Sequence, residues 1–182
     1  VCPEELTRFY LEKISNDPTA KDTFTEVFKR SALESAIESK KRTKAGLRKG
    51  ALDGIPISVK DLADIKRKIT AGGSSITNRK KAENNAVFVD VLKSQGGIIL
   101  GKTHMTELAF SGLGLNPITA TPVNPFDAEL VSGGSSSGSA VSVSRNYCLA
   151  SIGSDTGGSV RIPAAWNNLV GLKTTHNIID LT

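Results

Sequence analysis

The residues of this chain best suited to chemistry are serines set among glycines, with one lysine upstream of them. Residues 132–140 read SGGSSSGSA, residues 153–161 read GSDTGGSVR, and Lys60 sits in GIPISVKDL. Glycine leaves backbone N–H groups unshielded and admits angles that other residues resist, so such loops can aim donors at an anion. A serine within one can attack a carbonyl carbon, because nearby donors receive the negative charge that forms. That serine needs a group to take its proton. The two histidines, His104 and His176, lie beside neither loop and read as ordinary polar or packing residues. A Ser-His-Asp arrangement is therefore left without a base, and no cluster of Cys, His or carboxylates has metal-ligand spacing.

A lysine can accept a proton only when neutral. With a reference pKa near 10.4, about one free lysine in 2,500 is neutral at pH 7. Lowering that pKa by three units corresponds to about 4 kcal/mol, which burial beside polar serines can supply. Asp61, the next residue, would act the other way. If Lys60 closes a strand, however, successive side chains take opposite faces. On residue chemistry alone, a buried structural lysine and a catalytic base fit Lys60 equally.

Two other features suggest different chemistry. Gly96–Thr103 reads GGIILGKT and matches the phosphate-loop pattern G-x-x-x-x-G-K-T. Its variable positions carry Ile98, Ile99 and Leu100, which belong in a sheet, and it follows a helical stretch where a phosphate loop follows a strand. Lys102 thus reads as structural, or as part of a pocket wall. Lys40, Lys41, Arg42, Lys44, Arg48 and Lys49 supply much of the net charge of +5. No aromatic residue interleaves them as a base-stacking surface requires, and cations suit a helix C-terminus. They read as a solvated helix end, so no nucleic-acid partner is expected. Trp166 and the few other aromatics read as core.

The elements that must position these residues follow from periodicity. The chain has 182 residues, 38% hydrophobic and 23% charged, enough for one soluble domain with a real core. No apolar run approaches the ~20 residues that span a bilayer. The N-terminus has neither the basic start nor the apolar core of a signal peptide. Cys2 and Cys148 form no motif, which favours a reducing, cytoplasmic setting. Pro3 opens a helix that Asp17-Pro18 ends. Thr23–Phe28 reads as a strand, and Ser31 as the cap of a second helix. Ile55–Lys60 reads as a strand. Asn84 or Asn85 opens a helix striped by Val87, Phe88, Val91 and Leu92, stopped by Gly96-Gly97. Ile98–Leu100 is a continuous apolar strand, the mark of a sheet covered on both faces. Thr103–Phe110 reads as helical and Asn116–Asp127 as irregular. Ser139–Arg145 reads as a helix, Cys148–Ile152 as a buried strand, Ser159–Ala165 as a helix and Leu169–Leu172 as a strand. Helix alternating with buried strand makes the class α/β.

Together, GALDGIPISVKDL, SGGSSSGSAVSVS and IGSDTGGSVRIPAAWNNLVGLK resemble the amidase signature family of serine amide hydrolases, in order and in spacing. The resemblance covers the chain from about Gly50 onward. It implies a mixed twisted sheet with helices on both faces, and a Ser–cis-Ser–Lys triad. Ser159 corresponds to the nucleophile, Lys60 to the base, and Ser135 to the bridging serine preceded by a cis peptide. The backbone N–H groups of Thr156, Gly157, Gly158 and Ser159 correspond to the oxyanion hole. Ser136 would order the relay, and Asp155 and Arg161 would fix the nucleophile's loop. The implied reaction is acyl transfer from a small-molecule carboxylic amide to serine and then to water, with no metal or organic cofactor and no membrane partner.

Within the family the motifs lean toward allophanate hydrolase-like and small-amide amidases. The A-type component of glutamyl-tRNA amidotransferase, which delivers ammonia from glutamine, uses the same triad and is the alternative. Thr174 departs from the family pattern, which carries proline there. The resemblance also implies a complete enzyme well over twice this length. Residues 1–182 therefore read as the N-terminal portion of a single amidase signature domain, joined by association with the missing C-terminal part or by a homodimer. A catalytically silent fragment is the contrasting reading.

Overall fold

The structure, a computed structural model, describes residues 1–77 and 80–179. Helix α1 (Pro3–Asn16) begins where proline costs nothing, since its missing N–H would be unpaired in the first turn anyway. A helical turn, α2 (Ala20–Thr23), leads into strand β1 (Phe24–Val27). Helix α3 (Lys29–Lys44) packs on α1, with Ala32 and Ala36 admitting Tyr10, Leu11 and Ile14. Ser31 does not cap it: the helix starts earlier, at Phe28, and the Ser31 hydroxyl donates to the Phe28 carbonyl. The basic run does fall at its C-terminal end, where Lys41, Arg42 and Lys44 face the negative end of the helix dipole.

Strands β2 (Pro56–Lys60), β3 (Ile98–Thr103) and β4 (Ala150–Ile152) complete a sheet of order β1-β3-β2-β4. β1 runs antiparallel to β3, and β2 runs parallel to both β3 and β4, so the sheet is mixed. Every residue of β2 and β3 is buried. Ile98 and Leu100 join the core of α1 and α3, whereas Val59 and Ile99 join Val89 of helix α4 (Val87–Ser94) in a second core. Helices thus lie on both faces of the sheet. Asn84 and Asn85 do not open α4, whose N-cap position is Ala86. Asn85 instead accepts the Lys66 N–H and donates to Asp90. The helix ends at the glycine pair, with Gly96 at φ +86°.

Helix α5 (Ser137–Ser144) is almost entirely buried and crosses β2 and β3. Its small residues let it approach closely: a Cβ on Gly138 would lie 2.6 Å from the Thr23 carbonyl oxygen. Buried hydroxyls join the layers, with Ser58 Oγ 2.8 Å from Ser142 Oγ and Thr103 Oγ1 2.9 Å from Ser139 Oγ.

Four further expectations fail. Thr103 closes β3, and Thr103–Phe110 holds only a 3₁₀ turn over Glu107–Ala109, with Leu108 and Ala109 at positive φ. Helical propensity there yields to contacts of the backbone, such as the Leu108 N–H bond to the Gly72 carbonyl. β4 is shorter than expected and partly exposed, because it is one of the two edge strands among the described residues. Leu169–Leu172 pairs with no strand, and Val170 is fully exposed. Trp166, Phe110 and Phe126 are also exposed, after the short helix α6 (Arg161–Trp166) and in the irregular loops. Among the described residues no helix is long and apolar enough to cross a membrane, and both cysteines are free.

Candidate active site

Lys60 is the last residue of β2. It pairs in register with Thr103 and is 2% exposed. Its side chain points toward the N-terminus of α5. There the amine nitrogen donates to Ser135 Oγ and to Ser154 Oγ, each at 2.7 Å. Among the described residues no carboxylate is bonded to it. Burial brings its pKa down from 10.5 to about 8, against the pull of the nearby Asp155 charge.

The loop carrying Ser135 is shaped by glycines. Gly133 has φ +74°, and the Gly134–Ser135 peptide is cis. A Cβ on Gly134 would lie 2.9 Å from Gly114 backbone and from the Ser111 carbonyl oxygen, so residue 134 has no room for a side chain. Backbone bonds from a second loop hold the turn: Gly133 N–H to Leu113 O, Gly134 N–H to Gly112 O, and Thr106 N–H to Ser135 O. Ser136 ties this loop to the other glycine-serine segment. Its N–H donates to the Ser159 carbonyl (3.2 Å), its hydroxyl donates to the Ser154 carbonyl (3.2 Å), and its Oγ lies 3.3 Å from the Ser154 N–H.

Residues 153–161 wrap around one carboxylate. Asp155 accepts the N–H groups of Gly158 (2.8 Å), Val160 (3.0 Å) and Arg161 (3.2 Å). It also accepts the Arg161 guanidinium at 2.9 and 3.0 Å, although the Arg161 side chain is half exposed. These bonds hold the Asp155 carboxyl well below the usual carboxylate range, the Arg161 contact contributing most. Ser159 sits at the mouth of α6, between Gly158 at φ +120° and Val160. The Gly158 N–H, one of the four donors expected for an oxyanion, is engaged by Asp155 in this structure.

Lys60, Ser135, Ser136, Ser154 and the Ser159 backbone therefore converge at one end of the sheet. Residue types alone did not single out Ser154 or Thr106. Ser154 lies inside GSDTGGSVR, one residue before Asp155, so its place in the motif was the available signal. Thr106 acts through its backbone, and no residue pattern marks it. A cavity of about 310 Å³ is lined by Ser136, Ala140, Gly153, Val160, Pro163 and Val170 among others, and not by Lys60, Ser135 or Ser159 themselves.

The remaining candidates fall elsewhere. Lys102 forms a buried ion pair with Asp61 (2.6 Å) and donates to the Ile69 carbonyl and Thr70 Oγ1. Ile98–Leu100 lies in β3, so GGIILGKT wraps no anion. Burial lowers the pKa of His104, whose backbone is bonded to Thr23 and Gly138. His176 is exposed. Among the described residues no group of His, Cys, Asp and Glu could hold a metal ion.

These features define a chain with the layered sheet and serine-rich loops of an amide hydrolase, and the family model described as Amidase matches residues 5–180. The chain belongs to that family. It is 37% identical to the A component of the glutamyl-tRNA(Gln) amidotransferase of Thermosynechococcus vestitus, over 97% of this chain and 36% of the relative. It is 39% identical to the protein of the same name from Pelodictyon phaeoclathratiforme, over 97% of this chain and 37% of the relative. Among solved structures, the peptide amidase of Stenotrophomonas maltophilia superposes with a TM-score of 0.83 at 31% identity, over 92% of this chain and 36% of that one. Fatty acid amide hydrolase gives 0.84 at 30% identity, over 91% and 29%. The chain thus spans little more than a third of the length of the two amidotransferase relatives.

Proposed function

We propose that this chain carries the catalytic core of an enzyme that hydrolyses a carboxylic amide through a serine-bound acyl intermediate. Ser159 is the nucleophile, Ser135 the bridging hydroxyl and Lys60 the base. The observation that carries the reading is the 2.7 Å contact between the buried Lys60 amine and Ser135, with no carboxylate among the described residues bonded to that amine. At a pKa of about 8, roughly one Lys60 in ten is neutral at pH 7, far more than for a free lysine. Neutral Lys60 takes the Ser135 proton as Ser135 takes that of Ser159, and Ser159 Oγ bonds to the amide carbon. The oxygen that becomes negative is met by the N–H groups of Thr156, Gly157 and Ser159, each such donor contributing about 2.7–4 kcal/mol. Collapse breaks the C–N bond, and the departing amine receives the proton back along Ser135. Water, deprotonated by the same relay, then cleaves the ester and restores Ser159.

The names of the relatives favour a second reading: the A-type component of an amidotransferase, releasing ammonia from glutamine. It uses the same serine and lysine and differs in the amide. In both readings the substrate wall and the cover for Phe110, Val170 and Leu172 come from a longer protein or a partner. We assign the protein to the cytoplasm on its two free cysteines.

A fluorophosphonate probe tests the shared chemistry. Covalent labelling at Ser159, lost in Ser159→Ala, is expected. A folded chain that stays unlabelled overturns it and supports a silent module. Ammonia release from glutamine, set against release from simple amides, separates the two readings.

A further inference from the structure

We propose that Ser154 is a positioning residue that aims the Lys60 lone pair at Ser135. This rests on Lys60 being the base. A neutral amine has two N–H bonds and one lone pair. To act as a base toward Ser135, Lys60 must turn the lone pair to that hydroxyl and place an N–H elsewhere. Ser154 Oγ, also 2.7 Å from the nitrogen, accepts that N–H. Once Lys60 is protonated, both serines accept from it.

Ser154 is itself held. Its N–H and its carbonyl both meet the Ser136 hydroxyl, at 3.3 and 3.2 Å. Ser136 follows Ser135 directly, so Lys60, Ser135, Ser136 and Ser154 form a closed ring of contacts. Its members come from the end of β2, the start of α5 and the exit of β4. A base held by a third group is the arrangement by which an aspartate fixes the imidazole in a Ser-His-Asp triad. Here the third group is uncharged, so it directs the amine without favouring the ammonium as strongly as a carboxylate would.

The titratable groups on the elements around Lys60 are few. Asp155 and Arg161, on the loop after β4, are bonded to each other. Asp61 and Lys102, at the ends of β2 and β3, are likewise paired. His104 follows β3, and its pKa is lowered by burial. α5 contributes none.

The test compares wild type, Ser154→Ala and Ser154→Thr by the pH profile of fluorophosphonate labelling at Ser159. The Lys60 titration is followed in parallel by ¹³Cε NMR. Loss of one hydrogen bond is expected to slow labelling about tenfold in Ser154→Ala. A hydroxyl dipole stabilises the ammonium more than the amine, so the Lys60 midpoint should move down. More neutral base with slower reaction is a combination that loosened packing does not give, since admitted water would move the midpoint up toward 10.5. Ser154→Thr should restore both. Wild-type labelling with an unchanged rate in Ser154→Ala overturns the proposal, as does slow labelling with a midpoint that rises. An unlabelled wild type overturns the amidase reading and with it the role of Ser154. The NMR titration then reports on the contact alone, and a midpoint unmoved by Ser154→Ala shows that the contact does not form.

Discussion

Lys60 and Lys102 stand on neighbouring parallel strands, one residue out of register, and are almost equally buried. Their company differs. Lys60 meets two serine hydroxyls; Lys102 meets the Asp61 carboxylate, a threonine hydroxyl and a carbonyl. Lys60 pairs with Thr103 and Lys102 with Val59, so the two side chains leave opposite faces of the sheet. Asp61, next in sequence to Lys60, turns to the Lys102 side. Burial pulls both lysines toward neutrality, but only at Lys102 does a bonded carboxylate oppose it. The same residue type on the same sheet is therefore ion-paired at one position and, in the proposed reading, the base at the other. What separates them is the charge of the partner.

Exchanging each lysine for methionine should break this pairing of roles in opposite ways. Lys60→Met is expected to slow Ser159 labelling by about 10²–10⁴, the range for a lost general base. It should retain the far-UV circular dichroism of the parent. Lys102→Met leaves Asp61 buried without its counter-charge, and should lower stability to urea by about 3–5 kcal/mol. Its folded fraction should still be labelled. If Lys102→Met abolished labelling in folded protein while Lys60→Met did not, the assignment would be reversed.

Stability against pH sharpens the comparison. The Lys60 pKa is depressed on folding, so between about 8 and 10.5 the unfolded chain binds a proton that the folded chain does not. Stability should therefore rise with pH across that window, by about 3 kcal/mol in total. The Lys60 share of that rise should be missing from denaturation curves of Lys60→Met, in which Lys102 and Lys93 still titrate with depressed pKa values. Asp155 gives the same sign of slope in a lower pH window. Its pKa is depressed, so its contribution is present above the ordinary carboxylate range and is lost as pH falls through the folded value. Asp155→Asn should cost about 1.5–3 kcal/mol at neutral pH, with a difference from wild type that shrinks in acid. Labelling should slow as the Ser159 loop loosens.

Much of this was legible from residues. The apolar run Ile98–Leu100 marked a doubly covered strand and exposed GGIILGKT as a false phosphate loop, because buried sheet positions cannot wrap an anion. Alternation at the end of β2 foretold that Lys60 and Asp61 would part. Other features depended on tertiary contacts. Ser31 and Asn85 have the right chemistry for helix caps, but both side chains are engaged otherwise. Thr103–Phe110 has helical composition, yet its backbone is held by Thr23, Gly72 and Ser135. Ser154 was hidden by its own motif, in which glycines, Asp155 and Ser159 carry the more familiar chemistry. Engagement of the Gly158 N–H by Asp155 is likewise a matter of loop geometry that residue types do not specify.

The central claim is that Lys60 is a buried amine that loses its proton near neutral pH. A ¹³Cε titration of Lys60 in the wild-type chain, assigned with Lys60→Met, measures this directly. A midpoint near 8 is expected. A midpoint at or above 10.5 would mean that Lys60 is an ammonium at working pH and cannot accept the Ser135 proton.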